Sequence, residues 1–322
     1  MAANIIGRYV WLIDTLRRYE HLSYKEINAK WQESGLSYGD GDELPLRTFH
    51  NHCTSIQDIF GVDIEYDKSV KGYKYHIANP DVLEKDNLRL WLIDSYTALN
   101  HIQADSKLQG RIIFENVPSG HAWLHAITDA MRTNTVLEIT HQGFGKPEAN
   151  TFEIEPYYLK VVHRRWYVLA RSPYYSDYNR RKNADDGGNR PEYVFLVYAL
   201  DRISACNETS KKFEMIESFD IDEYFRGCCG IIASKEKPVE MMLKAYAQGP
   251  DYLRTLPLHE SQVELTEMND DEACYFKYQV RPTYELYQAL LAQADQVQLS
   301  SPESIKTEMR NFAKNIMAYY KD

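Results

Sequence analysis

Apolar residues recur at helical spacing from the start of the chain. Ile5, Tyr9, Leu12, Ile13 and Leu16 fall on one stripe, which predicts an amphipathic helix ending near Arg18. Ser23 followed by Glu26 has the spacing of a capping box, and Ile27, Ala29 and Trp31 carry a second helix to about Glu33. Residues 34–44 hold Gly35, Gly39 and Gly41 among acidic side chains and predict an exposed loop. Pro45 suits the first turn of a third helix, which runs to about Phe60 and stops at Gly61. Two short strands follow, over 62–66 and 73–77, around a turn at 68–72. Three helices and a hairpin in this order predict a winged helix-turn-helix, whose third helix enters the major groove. Arg47, Thr48, His50, Asn51 and His52 on that helix, with Lys71 and Tyr73 from the hairpin, are the candidate DNA contacts.

Between residues 81 and 101, Leu83, Leu88, Leu90, Trp91, Ile93, Tyr96 and Leu99 make a strongly apolar helix, a connector whose broad surface suits a dimer seam. A short segment at 108–114 precedes Pro118, and a helix over 120–132 leads into a strand at 136–141. The pattern is clearest over residues 155–171. Two runs of strand formers, 157–162 and 165–171, flank His163 and Arg164, the spacing of a two-residue hairpin turn. Alternation places Trp166, Val168 and Ala170 on a core face and Arg165, Tyr167, Leu169 and Arg171 on a face open to a ligand. Residues 174–191, tyrosines with Arg180, Arg181, Lys182 and Arg190 and paired glycines, read as a long solvated loop, with a grip on single-stranded nucleic acid as the alternative. Beyond residue 239 the order is strand 239–246, helix 250–256, strands 261–268 and 273–280, helix 283–292, strand 297–299 and helix 302–319. This β-α-β-β-α-β order predicts a ferredoxin-like α/β sandwich, so the fold class of the whole is α+β.

The strand holding Pro156, Tyr157 and Leu159, the tight turn, Trp166, Tyr167 and Val168, and then Tyr198, Ala199, Leu200, Asp201, Arg202 and Ile203 together resemble the WYL domain of bacterial transcriptional regulators. The resemblance implies a small Sm-like or SH3-like β-barrel that senses a ligand, in some members single-stranded nucleic acid. It implies this organisation: a winged helix-turn-helix over 1–79, a helical linker over 80–118, the WYL sensor over 119–212, a connector over 213–235, and a WYL C-terminal extension over 236–322. Tyr157, Lys160, Arg165, Tyr167, Arg171 and Arg202 are the expected ligand-binding residues, because arginine forks suit phosphate or carboxylate and a tyrosine ring offers a stacking surface. Two basic positions of the family pattern are Leu196 and Ala199 here, so fewer phosphate contacts are expected. In the third helix Arg47 and Thr48 match the family pattern, whereas His50, Asn51 and His52 stand where it has basic residues.

Net charge is −10, which by itself argues against a nucleic-acid binder. The acidity concentrates after residue 213, where 19 acidic residues face 11 basic ones, while 151–212 is basic, with 11 against 8. Five cysteines without a zinc-like spacing point to reduced thiols and a cytoplasmic protein. Neither an export signal nor a run long enough to span a membrane is present in the sequence. His121, His125 and Asp129 share a helix face, but no further ligand joins them, so neither a metal nor a cofactor is expected. An acid, base and nucleophile constellation is also missing, so the chain does not read as an enzyme. The expected partners are a duplex DNA operator, a nucleotide or single-stranded effector, and a second copy of the chain. Two other classes stay open: a protein-interaction adaptor with a degenerate helix-turn-helix, and a nucleic-acid-processing accessory protein.

Overall fold

The computed structural model describes residues 5–34, 42–68, 73–85, 87–104 and 120–320. The chain divides into two units, Met1–Glu115 and Asn116–Asp322.

In the first unit the apolar stripes become α1 (Ile5–Tyr19), α2 (Tyr24–Glu33) and α3 (Leu46–Phe60). The capping box forms as the spacing predicts. Ser23 Oγ accepts from the Glu26 amide at 3.3 Å, and the Glu26 carboxylate accepts from the Ser23 amide at 2.7 Å, an arrangement typically worth about 1 kcal/mol. Gly61 ends α3 in the left-handed conformation, with φ +62°. Leu12, Ile13, Leu16, Ile27, Trp31, Phe49 and Ile56 are buried in one core, and Trp11 packs edge-on against Trp31. Strands β1 (Ile64–Asp67) and β2 (Lys74–Ile77) pair antiparallel, and a bridge between Leu22 and Tyr75 ties the hairpin to the α1–α2 turn. The apolar segment that follows is α4 (Asp81–Lys85) and α5 (Asn87–Ala104). The turn residues 69–72, including Lys71, most of the glycine-rich loop and the segment at 108–114 lie outside the described residues.

The second unit opens with a short 3-10 turn and α6 (Leu124–Thr133), which lead into β3 (Thr135–His141). The strand expected at 157–162 is the second part of one longer strand, β4 (Asn150–Val162). Its first part pairs with β3 and its second with β5 (Arg165–Arg171). His163 and Arg164 turn this hairpin with φ +48° and +63°, the left-handed pair that a two-residue turn demands. Next come α7 (Pro173–Asp186), β6 (Phe195–Ala199) and β7 (Ile203–Lys212), giving an antiparallel sheet of order β6-β5-β4-β3-β7.

This sheet corrects the expected barrel. Only the 3-10 turn Leu200–Arg202 separates β6 from β7, so the sheet curls strongly to place them at opposite edges. The described edges do not pair with each other, and the sheet stays open. The stretch expected as a solvated loop is also corrected. Ser172 caps α7 with Pro173 at its first turn, and Gly187 closes it at φ +65°, so the glycines read as loop residues are a helix stop.

The chain continues through α8 (Ile221–Phe225) to a second antiparallel sheet. This holds β8 (Val239–Tyr246), β9 (Val263–Glu264), β10 (Ala273–Val280) and β11 (Val297–Ser301) in the order β11-β8-β10-β9. Helices α9 (Gly249–Thr255), α10 (Tyr284–Leu291) and α11 (Glu303–Tyr319) complete the fold. The strand expected over 261–268 shrinks to two residues because Asn269 Oδ1 takes the Tyr275 amide that a longer ladder would have paired. The molecule is thus mixed α and β with antiparallel sheets. Among the described residues no helix is long and apolar enough to cross a membrane.

Candidate functional site

Helix α3 buries Phe49, His52 and Ile56 at intervals of three and four residues, which turns Arg47, His50, Asn51 and Thr54 outward. His52 was expected among the DNA contacts and is instead part of the core at 3% exposure. Its ring meets Tyr9 edge-on at 5.2 Å. Burial, with Arg8 nearby, pushes its pKa down to about 4, so it sits neutral. Thr48 is half-buried. Beside the exposed face of α3, His50 Nε2 lies 3.2 Å from the Tyr75 hydroxyl. Tyr75, Tyr66 and Tyr73 form a run of ring contacts out to Tyr73, which is exposed. The surface is polar and aromatic, with Arg47 its one guanidinium among the exposed residues of α3.

On β5 the predicted alternation holds, but the face assigned to ligand is covered. Val168 and Ala170 are in the core with Trp166 packed against it. Leu169 is fully buried on the other side and Tyr167 is 8% exposed. A bulge explains part of this. Counting back from the turn without irregularity would set Pro156 opposite Arg171, yet the extra residue at Tyr157 brings Glu155 there instead. Arg171 donates Nη2 to Glu155 Oε1 at 2.6 Å and Nε to Oε2, and these bonds hold its pKa above the ordinary arginine value. The displaced Tyr157 is buried among Phe195, Phe213 and Phe219, three rings that the connector and β6 lay over it. Tyr157, Tyr167 and Arg171 therefore hold the fold together rather than face a ligand.

The remaining predicted residues separate into two places. Lys160 lies on a cavity of about 620 Å³ lined by Tyr158, Phe225, Cys228, Cys229, His259 and Glu260, among others. Its ammonium donates to the Gly230 carbonyl at 2.8 Å and sits 3.8 Å from the centre of the Phe225 ring. Burial lowers its pKa and pushes the Cys229 thiol up to about 12. Lys160 thus pins the connector to the sheet. From the other side Arg281 donates to the Tyr224, Ser234 and Glu223 carbonyls, and Glu285 accepts the Ile231 and Ile232 amides.

Arg165 and Arg202 lie around the turn Leu200–Arg202. Arg165 Nη2 donates to Asp201 Oδ2 at 2.6 Å. Arg202 lines a cavity of about 480 Å³ with Gln142, Gly143, Phe144, Gly145, Lys146 and Ser204, its guanidinium 4.0 Å from the centre of the Phe144 ring. Arg165 Nε, Asp201 Oδ1 and Arg202 Nε are buried without a hydrogen-bond partner. Residue-type reading singled out Arg202 but passed over Phe144, whose signal was a large aromatic between two glycines in a turn. His125 pairs with Asp129 at 2.8 Å, and among the described residues no His, Cys, Asp or Glu group is placed to hold a metal ion.

Residues 122–207 match the WYL domain family. Among solved structures, proteasome accessory factor B/C (PafBC) of Arthrobacter aurescens is similar over 71% of this chain and 32% of its own, at 15% identity and a TM-score of 0.27. A CRISPR Cas-related protein is similar over 98% of this chain and 84% of its own, at 12% identity and a TM-score of 0.37. The chain spans about a third of the PafBC chain. No curated protein matches.

Proposed function

We propose that the chain is a transcriptional regulator whose N-terminal unit binds a duplex DNA operator as a winged helix-turn-helix and whose WYL domain senses an anionic, nucleic-acid-type effector. The observation that carries the DNA half is the exposed face of α3, where Arg47, His50 and Asn51 stand together beside the β1–β2 hairpin. Arginine and asparagine are the side chains that read guanine and adenine edges by paired hydrogen bonds. Thr48 and Tyr73 flank that contact in this reading. The WYL match over 122–207 supports the sensor half. The order β11-β8-β10-β9 with its β-α-β-β-α-β succession supports a ferredoxin-like sandwich as the C-terminal extension. A homodimer fits recognition of paired half-sites, with the exposed Trp91 and Leu92 of α5 as its seam.

The sparse positive charge of α3 favours a second reading, an adaptor that binds protein through the same face. Selection of genomic fragments by the full chain at two salt concentrations separates the two. A sequence-specific footprint that weakens as salt rises supports the regulator, because each neutralised phosphate releases counterions. Uniform weak retention of all fragments supports the adaptor.

A further inference from the structure

We propose that the β3–β4 loop and the turn Leu200–Arg202 form a nucleotide subsite, in which Phe144 takes a base and Arg202 with Lys146 takes the adjoining phosphate. The inference rests on the reading of this domain as an effector sensor and assigns where and how the effector is held.

Phe144 is 79% exposed at the tip of a loop whose neighbours are both glycines. Gly145 takes φ +71° with open space where a side chain would stand, so the loop keeps clear the approach to the ring. A large apolar ring this exposed contributes little burial to the fold, and with Arg202 over one face its other face is open to stack a planar ligand. The loop is not a loose tip. The Gln142 amide donates to the Arg202 carbonyl at 3.1 Å, and Trp123 Nε1 donates to the Ile203 carbonyl at 2.7 Å. These bonds tie the base of the loop to the turn Leu200–Arg202, and the Arg202 guanidinium lies 4.0 Å from the centre of the Phe144 ring.

The charges point to an anion. Arg165 and Arg202 both lie beside Asp201, whose carboxylate accepts from Arg165 at Oδ2, with Oδ1 left without a hydrogen-bond partner. Arg202 keeps a buried Nε that donates to nothing. Lys146 adds a second cation to the cavity lining, where Asp201 is the one carboxylate. Burial and the neighbouring Arg165 both disfavour charge on Arg202, against the pull of Asp201, and a bound phosphate would supply the missing counter-charge. The volume of about 480 Å³ suits a ligand of nucleotide size. A base beside a phosphate is the chemistry that both features recognise, since aromatic rings stack any base and the arginine fork suits phosphate. A free nucleotide and one residue of a single strand share it.

The test uses the full chain and a fluorescein-labelled eight-residue oligothymidine read by anisotropy, with AMP and inorganic phosphate as competitors. The wild type is expected to bind the oligonucleotide, and Phe144→Ala to bind it at least tenfold more weakly. Arg202→Gln is expected to weaken binding and flatten its salt dependence by about one phosphate contact. Competition by AMP identifies a free nucleotide as sufficient, whereas binding of the oligonucleotide alone identifies the single strand. Phe144→Trp gives a readout independent of Arg202 folding defects, because a stacked base quenches the added indole. Wild-type binding that survives Phe144→Ala within twofold, or a Phe144→Trp signal unmoved at saturation, overturns the subsite and leaves effector sensing standing. A wild type that binds none of the three probes overturns both.

Discussion

Replacing Arg171 with Ala removes one half of an ion pair whose other half, Glu155, has a side chain only 6% exposed. Arg171 itself is 19% exposed at the side chain and meets the carboxylate through two nitrogens, so the pair is both shielded and bidentate. Breaking a buried pair from one side typically costs about 3–5 kcal/mol, because the surviving charge keeps its desolvation penalty and loses its partner. The partial exposure of Arg171 puts the expectation at the lower end, about 3 kcal/mol. In a unit of this size each kcal/mol lowers the melting temperature by about 2–4 °C, so Arg171→Ala should melt about 6–12 °C below the wild type. Thermal and urea unfolding of the full chain, followed by circular dichroism, measure both quantities. Two further variants isolate the cause. Arg171→Met with Glu155→Leu removes both charges and should recover much of the loss, since an apolar pair of similar volume often replaces a buried ion pair at little cost. Arg165→Ala, whose own side chain is 28% exposed, should cost less. An Arg171→Ala protein within about 0.5 kcal/mol of the wild type, the usual range of a neutral surface change, would refute the reasoning. So would a double variant no more stable than the single one.

Three other outcomes are expected. Arg47→Ala with Asn51→Ala should cost about 1–3 kcal/mol of specific DNA binding per lost base contact with an unchanged circular dichroism spectrum; a retained footprint counts against α3. His52, with its folded pKa pushed down to about 4, binds a proton in the unfolded chain before it does in the folded one. Its contribution is neutral above about pH 6.5 and becomes destabilising as pH falls towards 4, reaching about 3 kcal/mol at most. Urea midpoints measured from pH 7 to pH 4 should therefore fall less steeply in His52→Gln than in the wild type, and parallel slopes would sink this account. Sedimentation at micromolar concentration should show a dimer that Trp91→Glu with Leu92→Glu dissociates; a monomeric wild type, with or without operator DNA, counts against the α5 seam.

Much of the fold was legible because its signals are local. The capping box at Ser23 and Glu26, the glycine stop at Gly61 and the hairpin around His163 and Arg164 each depend on residues within one turn of each other. Histidine and arginine adopt positive φ in that turn despite lacking the usual glycine, because two long strands of matched register outweigh a modest backbone cost. Local signals misled where two structures share them. The glycines after Asp186 mark a helix stop as readily as a loop, and only the Ser172 cap and Pro173 at the other end decide between them.

The site was less legible, and part of the reason is a single extra residue. Alternation along β5 gives the right two faces, so Arg165, Tyr167 and Arg171 do share a side. What alternation cannot give is what lies on top. The bulge at Tyr157 shifts β4 by one position, brings Glu155 opposite Arg171, and sends the Tyr157 ring into a cluster with Phe195, Phe213 and Phe219. Phe213 and Phe219 come from the connector, an irregular stretch with no period to reveal which sheet it covers. Burial removes Arg171 from the ligand face, whereas Arg202 stays partly exposed on the cavity at the turn Leu200–Arg202. The consequence is a division of labour among residues of one type. Arg171 stabilises the sheet by satisfying Glu155, whereas Arg202 sets its guanidinium beside an exposed ring on a cavity with one carboxylate, and so it is at Arg202 that the proposed anionic ligand would bind.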